Sequence, residues 1–277
     1  MSIKPSGSHG KRLITAAWLI PFLFIILYWG GALLFLLLVW AGFTLANREF
    51  FFLIYEKPSS FLIWFYWLIG SSAIGAAYIQ GLEGFFAVLI LGMIFAVVYL
   101  VCVFQKQASF FESVGRQLLT VWYLPLFFPF FVLIRSANDG LLWIFFLLAV
   151  NYAGDTGAFY VGRTWGRHKL APLVSPKKTI EGSLGGLAAN GMVALAFKLT
   201  VFGDVPWFEM IGLGLLAGIV GQLGDLLESM IKRAARVKDS GTLFPGHGGI
   251  LDRIDSLLLS APGIYFYILF LNQKGFL

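Results

Sequence analysis

The sequence predicts an all-α fold, a polytopic membrane helix bundle with about nine transmembrane helices, and three observations carry that prediction. Hydrophobic residues make up 59% of the 277 and charged residues only 12%, where a soluble domain carries about 45–50% and about 25%. The apolar runs are too long for barrel strands of about 9–11 residues, and helices satisfy their own backbone in lipid. Lys and Arg recur in alternate connecting segments, the pattern of a chain that crosses back and forth.

Residues 1–12, rich in Ser, Gly and Pro before Lys11-Arg12, read as a mobile cytoplasmic tail. The first apolar run, residues 13–28, has no small-residue cleavage site after it and is followed at once by a second run beyond Gly30-Gly31, which argues against a cleaved signal peptide. Residues 13–28 and 32–46 are short for full crossings, and a tight hairpin is the alternative for that pair. The runs at 61–79, 85–104, 118–134, 141–159, 184–202, 208–230 and 250–271 fall near the about 17–25 residues that a crossing needs. Residues 13–135 hold no polar island and read as an amino-terminal transmembrane scaffold. Residues 136–277 hold three, at 151–157, 163–182 and 221–255, and read as the catalytic region.

A net charge of +6 would suggest nucleic-acid binding in a soluble protein. Here the basic residues sit in short loops, so topology accounts for them and no nucleic-acid partner is expected. On the alternating scheme only Arg135, Lys198 and Lys274 fall on one face. The other Lys and Arg share the opposite face, which places the amino terminus and both large charged loops in the cytoplasm of a multi-pass plasma (inner) membrane protein. Cys102 is the single cysteine, so an intrachain disulfide is excluded and it reads as a packing residue in an apolar helix.

The glycines of Gly182-Ser-Leu-Gly-Gly186 and Gly212-Leu-Gly-Leu-Leu-Ala-Gly218 let helix backbones approach closely in lipid. Asn151 and Asn190, polar groups inside apolar runs, read as helix-to-helix hydrogen-bonding residues. Asp225 and Glu228 lie three apart, as do Asp252 and Asp255, so two helices can each aim two carboxylates from one face. Such hard oxygen ligands suit Mg²⁺, which is held by one or two carboxylates plus substrate phosphates. The plainer use is pairing with Arg233, Arg236 or Arg253. In Ser175-Pro-Lys-Lys-Thr179-Ile-Glu181-Gly, Pro176 constrains a turn, Lys177 and Lys178 present point charges, and Ser175 and Thr179 offer hydroxyls. That makes a phosphate cradle, with attraction to anionic headgroups as the alternative. Asp155 near the end of its run is a binding candidate because intramembrane ionisable groups are costly. His247, between Gly246 and Gly248, serves either as an acid or base or as a loop-stabilising donor.

Residues 229–255 then supply a long charged pattern: Ser229-x-x-Lys-Arg, Lys238-Asp239, Pro245-x-His247-Gly-Gly and Asp252-Arg253-x-Asp255. With Ser175-Pro-Lys-Lys-Thr-x-Glu-Gly182 and Asp155-Thr, this resembles the phosphatidate cytidylyltransferase family, the CDP-diacylglycerol synthases, over roughly residues 150–260. Phe159 departs from the tyrosine expected after Asp-Thr-x-Ala. The resemblance implies that CTP and phosphatidate give CDP-diacylglycerol and pyrophosphate in phospholipid biosynthesis. It implies Mg²⁺ held by Asp225 and Asp252, a second cation of unidentified nature, and phosphate stabilisation by the catalytic Lys177 and Lys178. Substrate contacts are implied for Asp155, Ser175, Thr179, Glu181, Lys238, His247, Arg253 and Asp255, and a homodimer is implied on family grounds. A CTP-dependent polyprenol or phytol kinase, and more remotely a membrane transporter, are the competing readings.

Overall fold

The computed structural model describes residues 24–55, 57, 59–103, 110–243 and 248–274. After helical residues 24–29, Gly31 at φ 63 starts α1, Gly31–Ile54. Its 24 residues reach about 36 Å at about 1.5 Å per residue, so the second apolar run is a full crossing. Most of the first expected run, the tail and His247 lie outside the described residues.

Helix α2, Ser60–Val103, has 44 residues, about twice what a bilayer core of about 30 Å requires. Gly81, at φ 67 and ψ −146, breaks it. The two halves fold back on one another, with Phe61 stacked on Tyr99 and Phe65 against Phe95. This element crosses twice, which reconciles it with the separate runs at 61–79 and 85–104. Helices α3, Phe110–Trp122, and α4, Leu124–Ser136, make one crossing interrupted at Tyr123, just before Pro125. Next come α5, Gly140–Trp165; α6, Ile180–Thr200; α7, Trp207–Ala234; and α8, Leu251–Lys274. Seven segments are long and apolar enough to cross a membrane among the described residues, and the doubled one brings the crossings there to eight.

The exception to the helical expectation is a two-stranded antiparallel hairpin between α5 and α6, in which β1, Lys169–Ala171, pairs with β2, Ser175–Thr179. The segment read as a turn fixed by Pro176 is therefore a strand. Lys169 lies opposite Thr179 and Ala171 opposite Ser175, and the turn itself is at residues 172–174.

The core is aromatic. Phe43 packs edge-on against Phe128, Phe85 against Phe130, and Trp143 stacks on Phe202 with ring centroids 4.0 Å apart. Outward-facing positions are as apolar as inward ones: Ile79, Trp64, Val101 and Leu199 are all more than half exposed. Water would penalise that surface and acyl chains do not. Cys102, expected in the packing, is exposed on this outer surface.

Helix contacts are closest where glycines face each other. A methyl on Gly157 would stand 2.8 Å from the Gly185 carbonyl oxygen, and one on Gly186 would stand 2.8 Å from that of Gly154, so α5 and α6 meet backbone to backbone. Across α5 and α8, Ser260 Oγ lies 3.0 Å from the buried Asn151 Oδ1, while Asn190 is wedged between Gly154 and Gly218. The glycines serve helix packing and Asn151 meets Ser260 of α8 as expected, whereas Asn190, expected to hydrogen-bond between helices, packs between glycines with its buried Oδ1 unpartnered among the described residues. The helices alternate direction so that Glu49, the hairpin, the end of α7 and the start of α8 gather at one end, while Lys274 pairs with Glu209 at 3.0 Å at the other.

Candidate functional site

At the charged end, a cavity of about 440 Å³ opens between α5, the hairpin, α6 and α7, within the range typical of small-molecule sites. Helix α5 lines it with Asp155, Phe159 and Arg163, spaced by four and so stacked on one face. The hairpin adds Leu170, Lys177, Lys178 and Thr179, α6 adds Gly182 and Ser183, and α7 adds Gln222 and Asp225. The glycine contacts allow these walls to approach: a methyl on Gly182 would lie 2.8 Å from the Ala158 carbonyl oxygen.

Lys178 Nζ is 2.5 Å from Asp225 Oδ2, and both side chains keep roughly a third of their exposure. This pair bridges β2 to α7 while remaining accessible. Thr179 is buried, and its Oγ1 accepts from Gly182 N at 3.1 Å, capping the start of α6. Ser183 Oγ donates to Gln222 Oε1, and Gln222 Nε2 returns a bond to the Ser183 carbonyl, tying α6 to α7 in the cavity wall.

A second polar group lies beside it, between α7 and α8. Glu228 is fully buried, and Lys232 Nζ reaches it at 3.0 Å and Asp252 Oδ1 at 2.5 Å. Buried carboxylates persist only with such partners. Asp252 Oδ2 accepts from Ser240 N and Gly249 N, both at 2.9 Å, and lies 3.0 Å from Ser240 Oγ. Oδ2 is thus committed to the chain around it, while Oδ1 meets Lys232. Asp255, one turn further along α8, faces the Glu228 carboxyl and interacts electrostatically with Asp225. Asp155 senses Asp255, Asp225, Lys178 and Arg253, so the two polar groups form one electrostatic unit.

Of the residues singled out from sequence, Asp155, Lys177, Lys178, Thr179 and Asp225 line one cavity. Asp252 and Arg253 sit on the adjoining first turn of α8 and Asp255 one turn further along. Ser175 is on β2 and does not line the cavity. Glu181, in the first turn of α6, accepts from Arg167 N at 3.0 Å and from His168 N, with His168 Nδ1 at 2.5 Å, and so ties the segment between α5 and β1 to the start of α6. Lys238 is exposed beyond α7.

Sequence reasoning missed Gln222, Ser183 and, above all, Glu49. Glu49 Oε1 accepts from Ile250 N at 3.0 Å, and Oε2 accepts from Leu251 N at 3.0 Å and Ser240 Oγ at 2.9 Å. A lone acid at the end of an apolar run was the available signal, because such a residue is costly unless paired.

Among the described residues, no three His, Cys, Asp or Glu side chains are gathered closely enough to hold a metal ion by themselves.

Fold and site together define a multi-pass helical membrane protein with a mixed lysine and carboxylate cavity at one end of the bundle. The family model described as "Cytidylyltransferase family" matches residues 10–271, and the chain belongs to that family. It is 40% identical over 178 residues to a phosphatidate cytidylyltransferase of Bacillus subtilis (strain 168), covering 63% of this chain and 66% of the relative. It is 42% identical over 160 residues to the protein of that name in Staphylococcus aureus (strain COL), covering 58% and 61%. The aligned stretches thus span just under two thirds of each relative.

Proposed function

We propose that the protein transfers the cytidylyl group of CTP to phosphatidate, giving CDP-diacylglycerol and pyrophosphate. The observation that carries this reading is the cavity in which Lys177, Lys178, Asp155 and Asp225 meet at one end of a membrane bundle of this family. A phosphatidate oxygen attacks the α-phosphorus of CTP as the bond from that phosphorus to the β-phosphate bridging oxygen breaks. The attacking phosphate is already ionised near neutral pH, its second pKa being about 6 by analogy with a phosphomonoester side chain, so the chain need not supply a base. The difficulty is bringing two polyanions together, and the work required is neutralisation and alignment.

Lys178 and Lys177 supply that neutralisation, with Lys178 exchanging its Asp225 partner for a phosphate oxygen. Asp225 and Asp252, paired here with Lys178 and Lys232, would hold Mg²⁺. When bound, the ion withdraws charge from the triphosphate and fixes its orientation. A second cation belongs to the same reading, with Asp255 and Glu228 as the neighbouring acids. Arg253, within electrostatic reach of Asp155, adds positive charge. The charged end faces the cytoplasm and its CTP, phosphatidate arrives from the bilayer, and a second copy of the chain completes a homodimer.

The deciding experiment is incubation of the purified protein with α-labelled CTP, phosphatidate and Mg²⁺, followed by extraction of the lipid phase. Label in the lipid with release of pyrophosphate is the expected result. Release of CDP with an unlabelled cytidine-free lipid would instead identify a kinase and overturn the proposal.

A further inference from the structure

Glu49 comes from the half of the chain that reads as scaffold, yet all three of its donors belong to the segments around Asp252. Ile250 and Leu251 directly precede that residue, and Ser240 bonds both carboxylates. Leu251 opens α8, so its N–H and that of Ile250 are among the donors a helix start leaves without intrahelical partners. A carboxylate there also complements the helix dipole. The fit is close. A methyl on Gly241 would stand 2.5 Å from Glu49 Oε1, and one on Gly249 would collide with Oε2.

The Ser240 hydroxyl lies 2.9 Å from Glu49 Oε2 and 3.0 Å from Asp252 Oδ2 but has one proton to give. When it turns to Glu49, the Ser240 and Gly249 N–H groups still hold Asp252 Oδ2. The position of Asp252 is therefore set by a frame fastened to α1. A Ser or Asp beside Leu251 would have capped α8 locally. Drawing the cap from another helix adds something a local cap does not, a fixed relation between α1 and the first turn of α8.

We infer that Glu49 is a positioning residue for the reaction, setting through Ser240 and the α8 start where Asp252 stands relative to Asp225. This rests on the cytidylyl-transfer reading given above. The test uses full-length protein purified in detergent, as wild type, Glu49→Ala and the isosteric Glu49→Gln. Hydrogen exchange of peptides covering residues 248–255 is measured without substrate, and turnover is measured against Mg²⁺ concentration.

Loss of the clamp accelerates exchange at Ile250 and Leu251 by about tenfold or more in Glu49→Ala. Removing a support behind a metal ligand raises the half-saturating Mg²⁺ concentration by about 10–100-fold, with the KM for phosphatidate unchanged. Glu49→Gln, which keeps one oxygen acceptor, falls between the two in both measurements. It also carries the test if Glu49→Ala does not fold. Exchange as slow as wild type in the variants, or faster exchange with an unmoved Mg²⁺ dependence, would overturn the inference. A wild type that consumes no CTP would instead overturn the functional reading and this inference with it.

Discussion

Gly224 stands next to Asp225 at the point where α7 touches α8, and replacing it by Ala tests whether helix contact and chemistry share one geometry. A methyl there would lie 2.5 Å from the Asp255 carbonyl oxygen and 3.4 Å from Leu259 Cβ, where ordinary contact begins at 3.4 Å. The shortfall is about 0.9 Å against backbone, which unlike a side-chain tip cannot swing aside, so the helices must part. Overpacking of this size costs about 1–3 kcal/mol of stability. The same displacement moves Asp225 relative to Asp255 and Arg253, and a misplacement of about 1 Å in an aligned site lowers the rate about 10²-fold. The Gly224→Ala variant therefore melts somewhat lower in detergent and loses most of its label transfer from CTP to lipid. Gly212→Ala is the control, since no atom lies within 4 Å of its added methyl. It gains up to about 1 kcal/mol from helix propensity and keeps full turnover. Gly224→Ala turnover within about twofold of wild type, with Gly212→Ala also active, would refute the steric reasoning.

Lys178→Met removes a preorganised cation from the cavity and lowers kcat by about 10²–10³, read by single-turnover label transfer. Its partner Asp225 keeps about a third of its exposure, so the variant still folds and its melting temperature in detergent stays near that of wild type. Asp225→Asn and Asp252→Asn both abolish Mg²⁺-dependent turnover, but only Asp252→Asn also speeds hydrogen exchange at the Ser240 and Gly249 amides. The reason is that Asp252 alone of the two accepts bonds from Ser240 and Gly249. Thr179→Ala leaves the Gly182 N–H without its cap and costs about 1 kcal/mol, measured as a lower thermal midpoint.

The crossings were legible because a bilayer demands long apolar runs, and residues 61–104 supply two, with Gly81 where the backbone had to reverse. The β-hairpin was not legible. Ser175-Pro-Lys-Lys-Thr179 has the polar composition of a loop and a proline that strands tolerate only at edges, and its pairing partner Lys169–Ala171 has no pattern of its own. Asp155, Lys177, Lys178 and Asp225 stood out because every ionisable group in so apolar a chain needs a reason to be there. Glu49 met the same criterion, but its partners are 191 to 202 residues away, and no local spacing points across that distance.

What spacing could not supply was the register between helices. The repeat of three in Asp225-x-x-Glu228 and Asp252-x-x-Asp255 says that each pair shares a face, and it is silent about which acid meets which. The antiparallel crossing of α7 and α8 decides that by setting Asp255 opposite Gly224 and linking Asp252 to Lys232. The crossing in turn is fixed by a row of glycines on α7. Gly214 and Gly218 receive Asn190 of α6, Gly221 receives Asn151 and Ser260, and Gly224 receives the Asp255 backbone. Each removes a side chain where a neighbouring helix must come closest. Packing and chemistry are therefore not separate uses of that row, because sliding α8 along α7 by one turn, about 5.4 Å, would carry Asp252 from Lys232 towards Glu228 and take Asp255 away from Asp225.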